Sequence, residues 1–241
     1  MGLFSSMMGP QGLVGYYGLS EWWMGLFTPE ETNALEAAYA RSPALSRIGQ
    51  GQLSLTRGMT QGFQATQSPA RFLTALAPIV GDVAHDKEPV VWAKAEELGL
   101  KSDDVLDLHV VYSGSIKAFY ARRDESEDYL DAAMSAAEEL VNMAPDAASA
   151  LLKKRPGRDL PPHRGFKLLA VAAERDGDYE EALALCREAE EQGWTGDWDV
   201  RIERLLGKAA QAGVETETRD AGGGEEVTAG GEEAGEQADD A

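Results

Sequence analysis

The sequence predicts an all-α fold: a right-handed stack of antiparallel helix hairpins, with a C-terminal capping helix and a disordered acidic tail. Three observations predict it. Apolar residues recur at helical spacing from Ser68 to Gln211, no stretch alternates as a half-buried strand does, and the last 28 residues have almost nothing to bury. The chain therefore divides into an apolar, Gly-rich N-terminal segment (1–67) with one helix and a long loop, a helical domain (68–212) and an acidic tail (213–241).

The elements follow in order. The first 27 residues are nearly uncharged and end in SEWWMGLF, a composition suited to lying across a hydrophobic surface, so Trp22 and Trp23 are expected to be at least partly buried. Thr28 caps the next helix, Pro29 suits its first turn and Glu31 completes a capping box. Residues 42–67, rich in Gly, Gln, Ser and Thr, keep no sustained period and read as a loop. Ser68-Pro69 begins a helix with Phe72, Leu73 and Leu76 on one face, which Pro78 is expected to stop. A second helix carries Val91, Ala95 and Leu98 and ends at Gly99; the two form a hairpin. Ser102, with Asp103 and Asp104 in the first turn, opens a longer helix whose Val105, Leu108, Tyr112, Ile116 and Phe119 share a stripe. Its partner runs from about Glu127 to Met143 and ends at Pro145. A third pair spans about His163 to Asp176 and Tyr179 to Gln192, and a last helix runs from about Trp198 to Gln211.

Residues 163–196 resemble the 34-residue tetratricopeptide repeat. Phe166 takes the large aromatic place, Leu169 and Ala170 the Leu-Gly pair, Gly177 the turn, Tyr179 the aromatic after it, and Ala182, Cys186 and Ala189 the close-packing face. Small side chains at 170 and 182 let two helices approach closely, and Gly177 permits a positive φ. Two positions depart from the pattern: Ala173 stands where the family often has Tyr, and Trp194 where it often has Pro. A weaker copy, with Leu130, Ala133, Ala137, Leu140 and Pro145, precedes it, and the stack is interrupted by DAASALLKKRPGRDLPP. The arrangement also looks like bacterial proteins that carry one such hairpin and no assigned function. The resemblance implies a module that binds peptides in a concave groove.

Charge narrows the partners. The tail from Val214 holds ten acidic residues and one basic residue, so it contributes −9 of the net −20, and the body remains acidic. A nucleic-acid partner, which rewards neutralised phosphates, is not expected. Against this background six basic residues fall between Lys153 and Lys167. Lys154, Arg158, Arg164 and Lys167 are the candidate peptide-binding residues, with a protein or peptide partner of acidic character; an ordinary solvated loop is the competing reading. In the tetratricopeptide register Arg164, Lys167 and Val171 face the groove. Carboxylate-binding relatives have Asn where this chain has Val171, so a C-terminal carboxylate clamp is not implied. The acidic tail is expected to cover the basic patch transiently.

No catalytic, cofactor or metal site is expected. Cys186 reads as a small hydrophobe on a packed face rather than a nucleophile. His85 in AHD would need further histidines to resemble a metal phosphohydrolase, and only His109 and His163 remain. His109 reads as a hydrogen-bonded core histidine and His163 as a helix-start residue. GQGQLS lacks the third glycine of a dinucleotide loop, and Glu138 and Glu139 are adjacent and face no common site. A single cysteine points to the reducing cytoplasm. The N terminus lacks a basic n-region, and MGLFSS meets the myristoylation pattern only by chance. The expectation is a non-catalytic interaction module. An enzyme or enzyme subunit using the 42–67 loop, and a membrane-surface or homo-oligomer contact through WWMGLF, are the alternatives.

Overall fold

A computed structural model describes residues 9–42, 45, 48 and 53–213. The acidic tail from residue 214, the MGLFSS motif and residues 43–44, 46–47 and 49–52 of the expected loop lie outside the described residues. Within the described residues the class is all-α, as expected. The helices are α1 (Gly12–Tyr16), α2 (Ser20–Leu26), α3 (Pro29–Arg41), α4 (Pro69–Val83), α5 (Glu88–Gly99), α6 (Val105–Ala121), α7 (Glu127–Asn142), α8 (Ala144–Lys154), α9 (Arg164–Asp176), α10 (Tyr179–Glu191) and α11 (Trp198–Ala212). Sequence neighbours pack as pairs: α4 on α5, α6 on α7, α9 on α10, with α11 closing on α10 and α9 joining α7.

Local rules account for most boundaries. Thr28 Oγ1 accepts from Glu31 N at 3.2 Å while Thr28 N donates to Glu31 Oε2 at 2.8 Å, the reciprocal capping box that starts α3. Ser68 caps α4, Ser126 caps α7 and Asp178 caps α10 through one bond each, the side chain accepting from Arg71 N, Asp128 N and Glu181 N. At the α9–α10 turn Gly177 takes φ +82°, a left-handed value that a side chain would strain.

Five details differ from expectation. Among its described residues the N-terminal segment holds three helices rather than one, and Leu13, Trp23, Leu35 and Tyr39 share a single buried cluster with α4–α7, so the packing does not divide at residue 67. Trp23 is buried and donates from Nε1 to Thr32 Oγ1 at 3.0 Å, and Trp22 packs half-buried on the same core. Pro78 does not stop α4: Phe72, Leu73, Leu76, Ala77 and Val80 all face the core, and burying that stripe outweighs the roughly 3 kcal/mol that a helix-interior proline costs. Asp104, not Ser102, caps α6, accepting from Leu106 N at 3.1 Å. Pro145 opens α8 instead of only ending α7, because a first-turn proline forfeits no intrahelical bond, so the interrupting segment is mostly helix. Finally, Leu160–Pro162 (β1) and Trp194–Thr195 (β2) form a short parallel pair, held also by the Thr195 hydroxyl donating to the Leu160 carbonyl.

A second buried cluster joins Leu106 of α6 to α8, β1 and α9–α11. Between the elements of the first cluster sits a buried carboxylate. Glu88, 4% exposed, accepts from Trp92 Nε1 at 3.2 Å and from Arg122 NH1 at 2.8 Å. It needs glycine opposite, since a Cβ on Gly81 would stand 2.6 Å from Glu88 Oε2. Arg122→Met, which keeps the aliphatic stem but strands the carboxylate, is expected to cost about 3 kcal/mol or more in urea unfolding, and adding Glu88→Gln is expected to restore at least half of it. A loss below about 0.5 kcal/mol for Arg122→Met would show that the pair is not a keystone.

Candidate functional site

The groove between α6 and α9 is built from two helical faces. Ile116, Lys117, Tyr120 and Ala121 come from the last turns of α6, and Arg164, Lys167, Leu168 and Val171 follow at i, i+3, i+4 and i+7 on α9. Together they enclose about 360 Å³. Ile116 and Leu168 are buried and form the floor, while Lys117, Arg164 and Lys167 stand exposed at the rim. None of the three makes an ion pair among the described residues. The first turn of α9 contains no acidic residue, so Arg164 and Lys167 add to the positive end of the helix dipole instead of opposing it. An apolar floor under three cations at a helix N-terminus suits an anionic, amphipathic ligand.

Of the four residues expected to bind peptide, the structure brings Arg164 and Lys167 together and leaves the others elsewhere. Lys154 Nζ reaches Asp104 Oδ2 at 2.7 Å and ties the end of α8 to the start of α6, in a network where Arg71 Nε also donates to Asp107 Oδ1 at 2.5 Å. Lys154, through its hydrogen bond first, holds the Asp104 carboxyl below its ordinary range. Arg158 is exposed in the turn after α8 and does not line the groove. Lys117 and Tyr120 were missed, because they lie 47 and 44 residues upstream of Arg164 and only the α6–α9 contact joins them. Phe166, Ala170, Ala182, Cys186 and Ala189 are buried between α9, α10 and α11, with Leu169 and Tyr179 partly buried beside them.

Two histidines meet Trp194 below the same helix. The His109 ring stacks on Trp194 at 5.7 Å and the His163 ring meets its edge at 4.5 Å. Both Nε2 atoms are buried: among the described residues His109 Nε2 has no hydrogen-bond partner, so the bond expected of His109 is not made at that atom, and His163 Nε2 has only the Leu140 carbonyl near it, short of full hydrogen-bond geometry. His163 does start a helix: its Nδ1 accepts from Phe166 N at 3.2 Å, a bond that a charged imidazole, with a proton on each nitrogen, cannot accept. Burial, then the neighbouring His109, pushes His163 down to about 3, with the Leu140 carbonyl opposing; burial and Arg71 lower His109. Burial pushes the Cys186 thiol up. His163 and Cys186 are buried, and His109 is half-buried beside them. Among the described residues no group of three His, Cys, Asp or Glu could hold a metal ion, and no helix is long and apolar enough to cross a membrane. No family model, curated protein or solved structure matches the chain.

Two outcomes are expected. A base whose folded pKa lies below its unfolded one binds fewer protons when folded, so its stability contribution is intact above the unfolded value near 6.5 and is lost as pH falls toward the folded value of about 3. Urea unfolding at pH 7 and pH 5 is therefore expected to show about 2 kcal/mol less stability at the lower pH, most of it absent in His163→Asn, which keeps a capping acceptor. Equal pH dependence in the two proteins would refute the assignment. Iodoacetamide is expected to spare Cys186 in the native protein and to modify it rapidly in urea; fast native alkylation would place that face in solvent.

Proposed function

We propose that this chain is a non-catalytic protein-interaction module whose α6–α9 groove takes an extended or helical peptide bearing acidic and apolar side chains. The carrying observation is that three cations, Lys117, Arg164 and Lys167, line one apolar groove without ion pairs among the described residues, in a chain of net charge −20. Several other lysines and arginines are spent on structure, as in Lys154–Asp104, Arg122–Glu88 and the pairing of Arg204 and Lys208 with Glu174. The resemblance of residues 163–196 to a tetratricopeptide hairpin supports the same reading, since grooves over such hairpins receive peptides. A reducing, cytoplasmic setting fits the lone buried Cys186.

The acidic tail is an intramolecular competitor for the groove. Asp197, at the start of α11, senses the charge of Lys167, and Arg204 and Lys208 reach Glu174, so α11 runs alongside α9 in the same direction. Its last residue, Ala212, lies one turn beyond Lys208, and Arg164 stands about 15 Å back along α9 from Glu174. A random coil of 28 residues, the length of the tail, would reach roughly 25 to 30 Å, comparable with that separation.

Fluorescence anisotropy with labelled peptides that alternate Asp or Glu with Leu or Phe tests the reading. Binding is expected to weaken tenfold or more, on the order of 1.4 kcal/mol, in Lys117→Glu with Lys167→Glu, and to weaken with salt. Removing residues 214–241 is expected to strengthen binding at low salt with little change in Tm. Unchanged affinity in the double charge reversal would overturn the groove as the site.

A further inference from the structure

On the opposite flank of α6, the helices α5, α6 and α7 enclose a cleft of about 300 Å³, at the small end of the range for ligand sites. Its floor is aromatic: Trp92, Tyr112 and Phe119 are each buried, with the Trp92 and Phe119 rings 6.3 Å apart and inclined at 68°. Its lining is also anionic, with Glu96 contributed by α5 and Glu139 by α7. The two aromatic groups with polar atoms are held in place. Trp92 Nε1 donates to the buried Glu88, and Tyr112 Oη donates to Glu96 Oε1 at 2.9 Å. Burial and that hydrogen bond raise the Tyr112 phenol, so it remains a donor at neutral pH.

Neither Glu96 nor Glu139 makes an ion pair among the described residues, although nearby Lys94 and Lys101 are both taken by Glu97 at 2.7 and 2.6 Å. Two carboxylates thus line one apolar cleft, both acting on Tyr112, with no ion pair to either among the described residues. A ring face carries a negative quadrupole, so aromatic floor and acidic lining favour the same ligand, a cation with an apolar body. An anion is repelled by both. No described trio of His, Cys, Asp or Glu is placed to hold a metal ion here, and a strongly hydrated ion gains nothing from indole and phenyl walls.

We infer that this cleft binds a small organic ammonium ion, its charged nitrogen beside Glu96 and Glu139 and its apolar part against Trp92 and Phe119. The inference is independent of the α6–α9 groove, whose chemistry is of the opposite sign.

Isothermal titration of the full chain with phenethylammonium, against neutral 2-phenylethanol of nearly the same shape, tests it. The ammonium is expected to saturate the protein below about 1 mM and to bind at least tenfold more tightly than the alcohol. Glu139→Gln is the clean variant, because Glu139 is exposed and makes no ion pair among the described residues, so Tm serves only to confirm folding. It is expected to lower affinity severalfold, and Glu96→Gln with Glu139→Gln tenfold or more, while Lys117→Glu in the groove leaves it unchanged. Equal binding of amine and alcohol, unaltered affinity in the Glu139 variant, or no saturation by about 10 mM would each overturn the assignment. A lysine-bearing peptide that binds more than tenfold tighter than the free amine would overturn the small-molecule assignment.

Discussion

The burial of Glu88 constrains the molecule more than any other single group. A carboxylate taken out of water is tolerated only where each oxygen finds a donor, and here one oxygen accepts from Trp92 of the same helix and the other from Arg122 just beyond α6. That requirement sets the register of α5 against α6, demands Gly81 on α4, and fixes the plane of the Trp92 indole. Arg122 is committed in turn: its guanidinium lies 4.0 Å from the Tyr129 ring centroid and also reaches Glu125, so the α6–α7 turn is tied to the same node.

From that node α6 becomes the axis of the protein's surface chemistry. Tyr112, Ser115 and Phe119 face the acidic cleft under α5 and α7, whereas Ile116, Lys117 and Tyr120, one or two positions on, face the basic groove under α9. A single helix thus separates two concave sites of opposite sign. The separation matters because the net charge would otherwise favour cations everywhere. The local fields differ because α9 begins with Arg164 and Lys167 and no acid, while Lys94 and Lys101 near the cleft are held by Glu97.

The misread elements share a cause. Pro78 and Pro145 are local helix breakers by the usual rule, yet the first sits opposite a fully buried stripe and the second at a first turn, where its missing N–H is no loss. Lys154 belongs by sequence to the basic run, but Asp104, fifty residues away, takes it. In the N-terminal segment Gly12–Tyr16 and Ser20–Leu26 are too short to show a helical period, and they are helical because Leu13, Val14 and Trp23 enter a core supplied by α4–α7.

The sequence by itself determined what short-range physics governs: the all-α class, the capped start at Thr28, the helix start at Ser68, the left-handed turn at Gly177, and the packed face of Ala182, Cys186 and Ala189. It also placed Arg164 and Lys167 on one face of a helix. Tertiary structure alone decided the long-range pairs, since Arg122–Glu88 and Lys154–Asp104 join residues 34 and 50 positions apart that only packing brings together. It therefore also decided that Lys117 joins the groove, that Glu96 and Glu139 border an aromatic cleft, and that two histidines lose water around Trp194. Helical periodicity specifies a face, but the neighbour of that face is chosen by the packing of the whole chain.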